Sequence, residues 1–325
     1  MSDLVSVVIP AYNQAEYLRE AIQSVFDQTC DHWEIIVVDD GSTDHTREVC
    51  VSFGPRVRYY FQENDGTQGA GARLRAMRLA RGAWIALLDH DDRWLPAKLE
   101  QQLQAVAADP ACGLAFTGWQ QIDGQGSRVG DPTEVPLSGD CFHLFLTRNP
   151  AIASSGMFRR SLLARLDETD LLLGPGDYVL WLGISRQTSV TSVAAPLVEL
   201  RRHSQCESND RAWEARAIQA CCLRAREHLH PDCRECVLAW REGYASALYR
   251  SSLSSRSRSG RFRASYDRSR AALATPSWKP KIYRAGIALM TLLLPRRFYG
   301  HFARECRLQT PIERRLYGRS ARAVP

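Results

Sequence analysis

Residues 1–105 alternate between short runs that are mostly apolar and longer runs that are apolar on one face only. Residues 5–9 form the first apolar run, which ends in the turn residues Pro10, Ala11, Tyr12 and Asn13. Tyr17, Leu18, Ala21, Ile22 and Val25 then recur at helical spacing, which predicts an amphipathic helix. Residues 33–38 repeat the strand pattern and run into Asp39-Asp40-Gly41-Ser42-Thr43-Asp44, where Ser, Thr and Asp suit the cap of a second helix. A third strand is expected over 57–61 and a fourth over 84–88, with a helix opening at Gly69 to Arg73 and another at Pro96. Strands apolar on both faces, alternating with helices, are the signature of a parallel sheet covered on both sides. The predicted fold class is therefore α/β, a mostly parallel sheet with helices on both faces. Ligands in such sheets bind at the carboxyl ends of the strands. Residues 10–13, Asp39 with Asp40, and residues 89–92 all lie at those ends.

The last of these segments carries the sharpest chemistry. Asp89-His90-Asp91-Asp92 crowds carboxylates at a strand end, where they repel one another. A hard divalent cation, Mg²⁺ or Mn²⁺, relieves that repulsion, because it prefers oxygen ligands and commonly sits between carboxylates and a substrate's phosphates. If the strand pleat persists past Leu88, Asp89 and Asp91 point one way and His90 the other. The alternative is an acidic loop in which Asp92 caps the helix at Pro96, with Trp94 in packing. Asp39 and Asp40 have a similar alternative as turn and cap residues.

Taken together, VSVVIPAYNQAEYLREAIQSVFDQT, WEIIVVDDGSTD and ARGAWIALLDHDDRWLPAKLE resemble, in order and spacing, the nucleotide-sugar-binding half of inverting GT-A glycosyltransferases. The large family 2-like group that builds bacterial cell-surface polysaccharides is the one they resemble. The resemblance is strong over residues 4–105, weak over 106–208 and slight beyond. It implies a metal-dependent transfer of a sugar from a nucleotide-sugar donor, UDP by default, to a hydroxyl of a cell-envelope glycan or lipid-linked acceptor. Pro10, Ala11 and Tyr12 would wall the base pocket, and Asp40 would accept a hydrogen bond from the base with Asp39 beside it. Arg73, Asp89 and His90 would complete the donor contacts. Asp89 and Asp91 would hold Mg²⁺ or Mn²⁺, Asp91 as the direct ligand, with His203 as a further ligand. The cation would stabilise the leaving nucleoside diphosphate as a Lewis acid. Residues 64–76 depart from the family pattern: the loop is longer, and Leu74 stands where Asn is usual. Gly69-Ala70-Gly71 there offers backbone N–H groups that could face phosphate.

Residues 113–117 predict a further strand, and 120–150 a variable loop with one short helix near 142–146. Residues 153–163 resemble the family's segment that passes under the acceptor and enters a helix. Asp177, in Gly174-Pro175-Gly176-Asp177-Tyr178-Val179-Leu180-Trp181, matches the family's catalytic base, although Gly176 replaces the usual Glu and Gly183 an Arg. Inversion by in-line attack of a hydroxyl requires one carboxylate to accept a proton. The alternative for Asp177 is a plain helix N-cap. Glu199-Leu200-Arg201-Arg202-His203-Ser204 resembles the segment whose Arg and His close over the diphosphate.

Charge divides the chain. Residues 1–200 hold 16 Lys+Arg against 26 Asp+Glu, while residues 201–325 hold 26 against 10. A GT-A catalytic domain is therefore expected over 1–208, with a nucleotide-sugar half over 1–105 and an acceptor half over 106–208. A basic, helical C-terminal region is expected over 209–325. That region either packs as a solvated bundle or docks peripherally on an anionic membrane surface. Its longest apolar run, 285–295, is shorter than the about 20 residues a spanning helix needs. No nucleic-acid-binding motif accompanies the arginines, so no nucleic-acid partner is expected. Asp3 and the early strand leave no apolar leader core, and a cytoplasmic location with reduced cysteines follows as the expectation. Cys221, Cys222, Cys233 and Cys236, near His228 and His230, are expected as packed thiols rather than a zinc site. Two other functions share parts of this pattern. A sugar-nucleotide pyrophosphorylase would need a Gly-rich basic loop where Pro10 to Asn13 stand, and an inactive nucleotide-sugar-binding protein would not need Asp89, Asp91 and Asp177 together.

Overall fold

The structure is a computed structural model, which describes residues 3–172, 176–204 and 206. The basic region over 209–325, with its expected helices, cysteine and histidine group and apolar run, lies outside the described residues. In chain order the elements are β1 (Val5–Ala11), α1 (Ala15–Phe26), β2 (Trp33–Asp40), α2 (Thr46–Ser52), β3 (Val57–Gln62), α3 (Ala70–Leu79), β4 (Trp84–Leu87) and the short β5 (Arg93–Trp94). There follow α4 (Lys98–Ala107), β6 (Cys112–Ile122), α5 (Phe142–Thr147), β7 (Met157–Arg159), α6 (Glu168–Leu171), α7 (Gly176–Ser185) and β8 (Ser189–Arg201). Short 3₁₀ segments at Ala153–Ser155 and Arg160–Arg165 flank β7. Among the described residues no helix is long and apolar enough to cross a membrane.

The strands form one sheet in the order β3-β2-β1-β4-β7-β6-β8-β5. β3, β2, β1 and β4 are mutually parallel, as the alternation of strands and helices predicts. The other half is mixed: β7 runs antiparallel to both β4 and β6, β6 and β8 are parallel, and β5 returns antiparallel on β8. A three-residue strand such as Met157-Phe158-Arg159 carries no directional signal, so this reversal was not legible from pattern. β1 neighbours β2 on one side and β4 on the other, and the chain winds away from it in both directions. That switch point opens a crevice at the carboxyl ends of β1, β2 and β4.

The two-residue period of the strands divides the core between two layers. Val5, Val7, Ile9, Ile35, Val37, Ala86 and Leu88 pack with Leu18, Ile22 and Val25 of α1 and Leu99 of α4. Val8, Ile36, Val38, Ile85 and Leu87 face Ala72 and Ala76 of α3, Phe145 of α5 and Trp181 of α7. Trp181 is fully buried, edge-on to Phe116 at 5.1 Å and to Phe158 at 6.0 Å. A side chain at Gly156 would begin 2.3 Å from the Trp181 ring, so only glycine lets β7 and α7 approach this closely. Truncating a buried Trp typically removes about 3–5 kcal/mol, and here that packing also fixes the start of α7, where Asp177 lies.

Three boundaries differ from expectation. Pro96 sits in the turn before α4, which begins at Lys98. Residues 120–122 continue β6 rather than opening the loop. Residues 160–165 form a 3₁₀ segment rather than an α-helix.

Candidate active site

At the end of β1 the backbone enters the left-handed region at Asn13 (φ 54°) and again at Gln14 (φ 62°). Asn tolerates this conformation better than Gln does, and such strain persists only where surrounding bonds hold it. Here the Asn13 N–H donates to Ser42 Oγ at 2.7 Å, and the Thr43 N–H donates to Asn13 Oδ1 at 3.0 Å. Asp44 accepts from the Ala15 N–H at 2.9 Å and the Thr46 N–H at 3.1 Å, so one carboxylate serves the first turns of both α1 and α2. Burial pushes Asp44 up, but these bonds outweigh it and hold the carboxyl below its usual value.

Asp39 and Asp40 are both buried and, being consecutive on β2, face opposite sides of the sheet. Asp39 accepts from the Ser42 N–H at 2.8 Å and the Tyr59 hydroxyl at 2.7 Å. Asp40 accepts from Gln62 Nε2 at 2.7 Å, and burial raises its carboxyl above the ordinary value despite that bond. Tyr12 stands 48% exposed at the mouth, an aromatic surface beside these acceptors.

The pleat does not persist past Leu88. The Leu88 N–H still donates to Val8, but the Asp92 N–H closes a turn onto the Asp89 carbonyl at 3.1 Å. The turn gives the three carboxylates to three different partners. Asp89 Oδ1 takes Arg73 Nη2 at 2.9 Å, and Asp91 Oδ2 lies 3.0 Å from His203 Nε2. Asp92 is buried, accepting from Ser154 Oγ at 2.5 Å and from the Arg201 N–H at 2.9 Å. Asp92 is thus an internal brace and not the cap of α4. Burial, with the Asp91 and Asp89 charges added to it, pushes its carboxyl well up. Burial also pushes Asp91 up, but the His203 hydrogen bond and the His90 and His203 charges prevail and hold it below the usual value. His90 Nδ1 donates to the Pro10 carbonyl at 3.2 Å, since a carbonyl can only accept. Its buried Nε2 has no hydrogen-bond partner among the described residues.

Arg201 does not reach out over a ligand. Its guanidinium is buried, donating from Nε to the Asp91 carbonyl at 2.9 Å, from Nη1 to the Gly124 carbonyl at 3.2 Å and from Nη2 to Glu20 at 2.5 Å. It also lies over the Tyr17 ring at 4.4 Å, and Tyr17 packs on His203 with ring centroids 5.0 Å apart. Ser154 works from the other side. It accepts the Asp89 N–H at 3.0 Å while donating to Asp92, and its carbonyl accepts from Trp94 Nε1 at 2.8 Å. The Asp89–Asp92 turn is therefore clamped from both halves of the sheet.

Among the described residues, Asp91, His203 and Cys206 form a group whose ligand atoms all lie within 4.8 Å of one another. That span is about twice a metal–ligand bond of roughly 2.0–2.3 Å, so one divalent ion fits between a carboxylate, an imidazole and a thiol. Asp89 stands outside the group, on Arg73. Asp177 lies in the first turn of α7 and accepts from Asn149 Nδ2 at 3.2 Å. Burial pushes its carboxyl up to about 6, with the Asp89 charge adding to the rise and the Arg73 charge and the Tyr178 and Asn149 bonds opposing it. Arg73, Asp89 and Asp177 thus share one electrostatic neighbourhood. The Gly69–Gly71 loop is not an open anion cradle: Thr67 Oγ1 already accepts the Gly71 N–H at 2.8 Å, and the Asp65 carboxylate lies directly against Gly71. Reading motifs missed Ser154, Asn149 and Cys206, which reach the site only through folding. The His203-x-x-Cys206 spacing was the one local signal for the last of them.

The family model for glycosyl transferase family 2 matches residues 6–166. A Bacillus subtilis protein named as a teichuronic acid biosynthesis glycosyltransferase, TuaG, is 30% identical over 237 residues, 70% of this chain and 90% of its own length. The chain belongs to glycosyl transferase family 2. An Escherichia coli relative, the UDP-Glc:alpha-D-GlcNAc-diphosphoundecaprenol beta-1,3-glucosyltransferase WfgD, is 32% identical over 58% of this chain and 73% of its own. The fold is that of S. aureus TarS 1-349, seen in complex with UDP-GlcNAc, at a TM-score of 0.62 and 16% identity over 84% of this chain and 81% of that one. It is likewise that of the Pyrobaculum calidifontis mannosyltransferase PcManGT in complex with GDP-Man and Mn²⁺, at a TM-score of 0.54 and 18% identity over 99% and 89% of the two chains. This family 2 member is accordingly a glycosyltransferase with a GT-A fold, as its motifs imply.

Proposed function

We propose that this glycosyltransferase moves a sugar from a UDP-sugar, with inversion and in the presence of Mg²⁺ or Mn²⁺, to a hydroxyl of a lipid-linked or cell-envelope glycan. The observation that carries the reading is the division of labour in the crevice. Asp91, ionised and paired with His203, is set to bind a cation, while Asp177, with its carboxyl pushed up to about 6, is set to exchange a proton near neutrality. Asp91 and His203 would hold the cation, which when bound neutralises charge on the departing diphosphate.

The chain's own residues supply the rest. Asp40 presents a buried acceptor to the base beside Pro10, Ala11 and Tyr12, while Asp39, on the other face, holds the Ser42 N–H and the Tyr59 hydroxyl. Arg73 holds Asp89 and lowers the charge felt by Asp177. His90, tied through Nδ1 to Pro10, links the base side of the crevice to the metal side. Asp177 takes the proton of the attacking hydroxyl while Asn149 orients its carboxylate. A UDP donor and a diphospholipid-linked acceptor are supported by WfgD, whose name states both for that relative. Peripheral contact of residues 209–325 with the cytoplasmic membrane face is supported by their basic balance.

The test is incubation with Mn²⁺ and a panel of nucleotide sugars, followed by NMR of the product. Free UDP and a product of inverted anomeric configuration are expected. Pyrophosphate chemistry would favour a nucleotidyl transferase, and binding without turnover an inactive relative.

A further inference from the structure

We propose that Cys206 is a third protein ligand of the cation, which makes the metal centre a mixed carboxylate–imidazole–thiolate site. The inference rests on the reading of Asp91 and His203 as metal ligands. Cys206 Sγ is 4.0 Å from Asp91 Oδ2, and its ligand atom shares the 4.8 Å group with His203. The placement is built by the backbone. The Cys206 N–H donates to the His203 carbonyl at 3.3 Å, and the His203 N–H donates to Cys206 Sγ at 3.3 Å. This turn folds the thiol back beside the imidazole, and a two-residue gap between ligands is the spacing metal-binding turns use. Sγ also lies 3.6 Å from the Arg201 carbonyl, on the same strand end that Arg201 ties to the Asp91 backbone. The neighbouring oxygen donor is already committed, since Asp89 is held by Arg73. Cys50, Cys112 and Cys141, by contrast, are buried in the core.

On binding, Sγ gives an electron pair to the metal and the thiol proton leaves to solvent. No oxidation state changes. A thiolate among the ligands disfavours Mg²⁺ and favours later, softer ions, so affinity should rise from Mg²⁺ through Mn²⁺ to Co²⁺ and Zn²⁺.

The test is titration of the full-length, reduced protein with Co²⁺ in the presence of UDP, read by absorption spectroscopy, with calorimetry for Mg²⁺ and Co²⁺. Wild type should show a near-ultraviolet sulfur-to-cobalt charge-transfer band, absent from both Cys206→Ser and Asp91→Asn. Cys206→Ser should lose about tenfold or more in Co²⁺ affinity, the scale on which even outer-shell partners act, with Mg²⁺ affinity nearly unchanged. Cys206→Asp should lack the band and bind Mg²⁺ more tightly than wild type. A band that survives in Cys206→Ser belongs to other thiols and overturns the proposal. Co²⁺ binding that needs Asp91 but is indifferent to Cys206 overturns it while leaving the metal reading intact. Failure of the wild type to bind Co²⁺ at all removes both.

Discussion

Asp177→Asn should make the protein more stable and nearly inactive. Folding lifts the Asp177 carboxyl from 3.8 to about 6. At about 1.36 kcal/mol per unit, keeping it ionised at pH 7 costs the fold up to roughly 3 kcal/mol. The folded value lies above the unfolded one, so the relative stability is intact below pH 3.8 and is lost as pH rises through about 6. Asparagine has the same shape, keeps one acceptor oxygen for the donors that face it, and carries no charge to desolvate. At pH 7 the variant should therefore gain up to about 3 kcal/mol, at about 2–4 °C of melting temperature per kcal/mol in a domain of this size. At pH 4 most of the gain should disappear. Turnover should fall by about 10²–10⁴-fold, the range for a lost general base, with donor affinity little changed. Scanning calorimetry at both pH values and an assay of released UDP measure the two sides. A variant less stable than wild type at pH 7 would show that the carboxylate serves as a helix cap. Undiminished turnover would take Asp177 out of the chemistry.

Arg73→Ala removes the charge that holds Asp177 down and should shift the acid limb of the pH–rate profile above about 6; a limb that stays or moves lower would contradict the shared field. Arg201→Ala leaves the Asp91 and Gly124 carbonyls and Glu20 without their buried donor and should cost about 3 kcal/mol or more in urea unfolding; near-native stability would mean the network is incidental. Truncation after residue 276, which removes the apolar run at 285–295, should reduce flotation with anionic liposomes, and flotation of the full chain should weaken with salt. Equal flotation of both forms, or of neither, would favour a packing bundle.

The nucleotide half of this fold was legible in sequence because its signals are local. Residues 5–9, 33–38 and 84–88 are apolar on both faces, and a strand buried on both sides shows itself without knowledge of its partners. The convergence of Pro10 to Asn13, Asp39, Asp40 and Asp89 to Asp92 on one crevice followed from strand direction alone. What escaped reading depended on contacts distant in sequence. β7 is too short to announce that it runs antiparallel. The alternation expected of Asp89 and Asp91 failed because the turn closed by Asp92 N–H ends the pleat, and each carboxylate then went to whichever partner folding delivered: Arg73, His203, or Ser154 with Arg201. Arg201 looked like a ligand-facing arginine in sequence, yet Glu20 and two carbonyls draw it inward. Asp177 was visible as a residue type in a motif, but its raised carboxyl comes from burial and from Asp89, neither of which a local pattern records.

In the proposed mechanism, sugar transfer depends on a divalent cation held by Asp91 and His203. That dependence is tested most directly by release of UDP from a UDP-sugar after the protein has been stripped with EDTA and then resupplied with Mn²⁺. Wild type should be silent when stripped and recover with Mn²⁺, while folded Asp91→Ala should stay silent in both conditions. Undiminished UDP release from the stripped wild type, or from Asp91→Ala, would contradict the account.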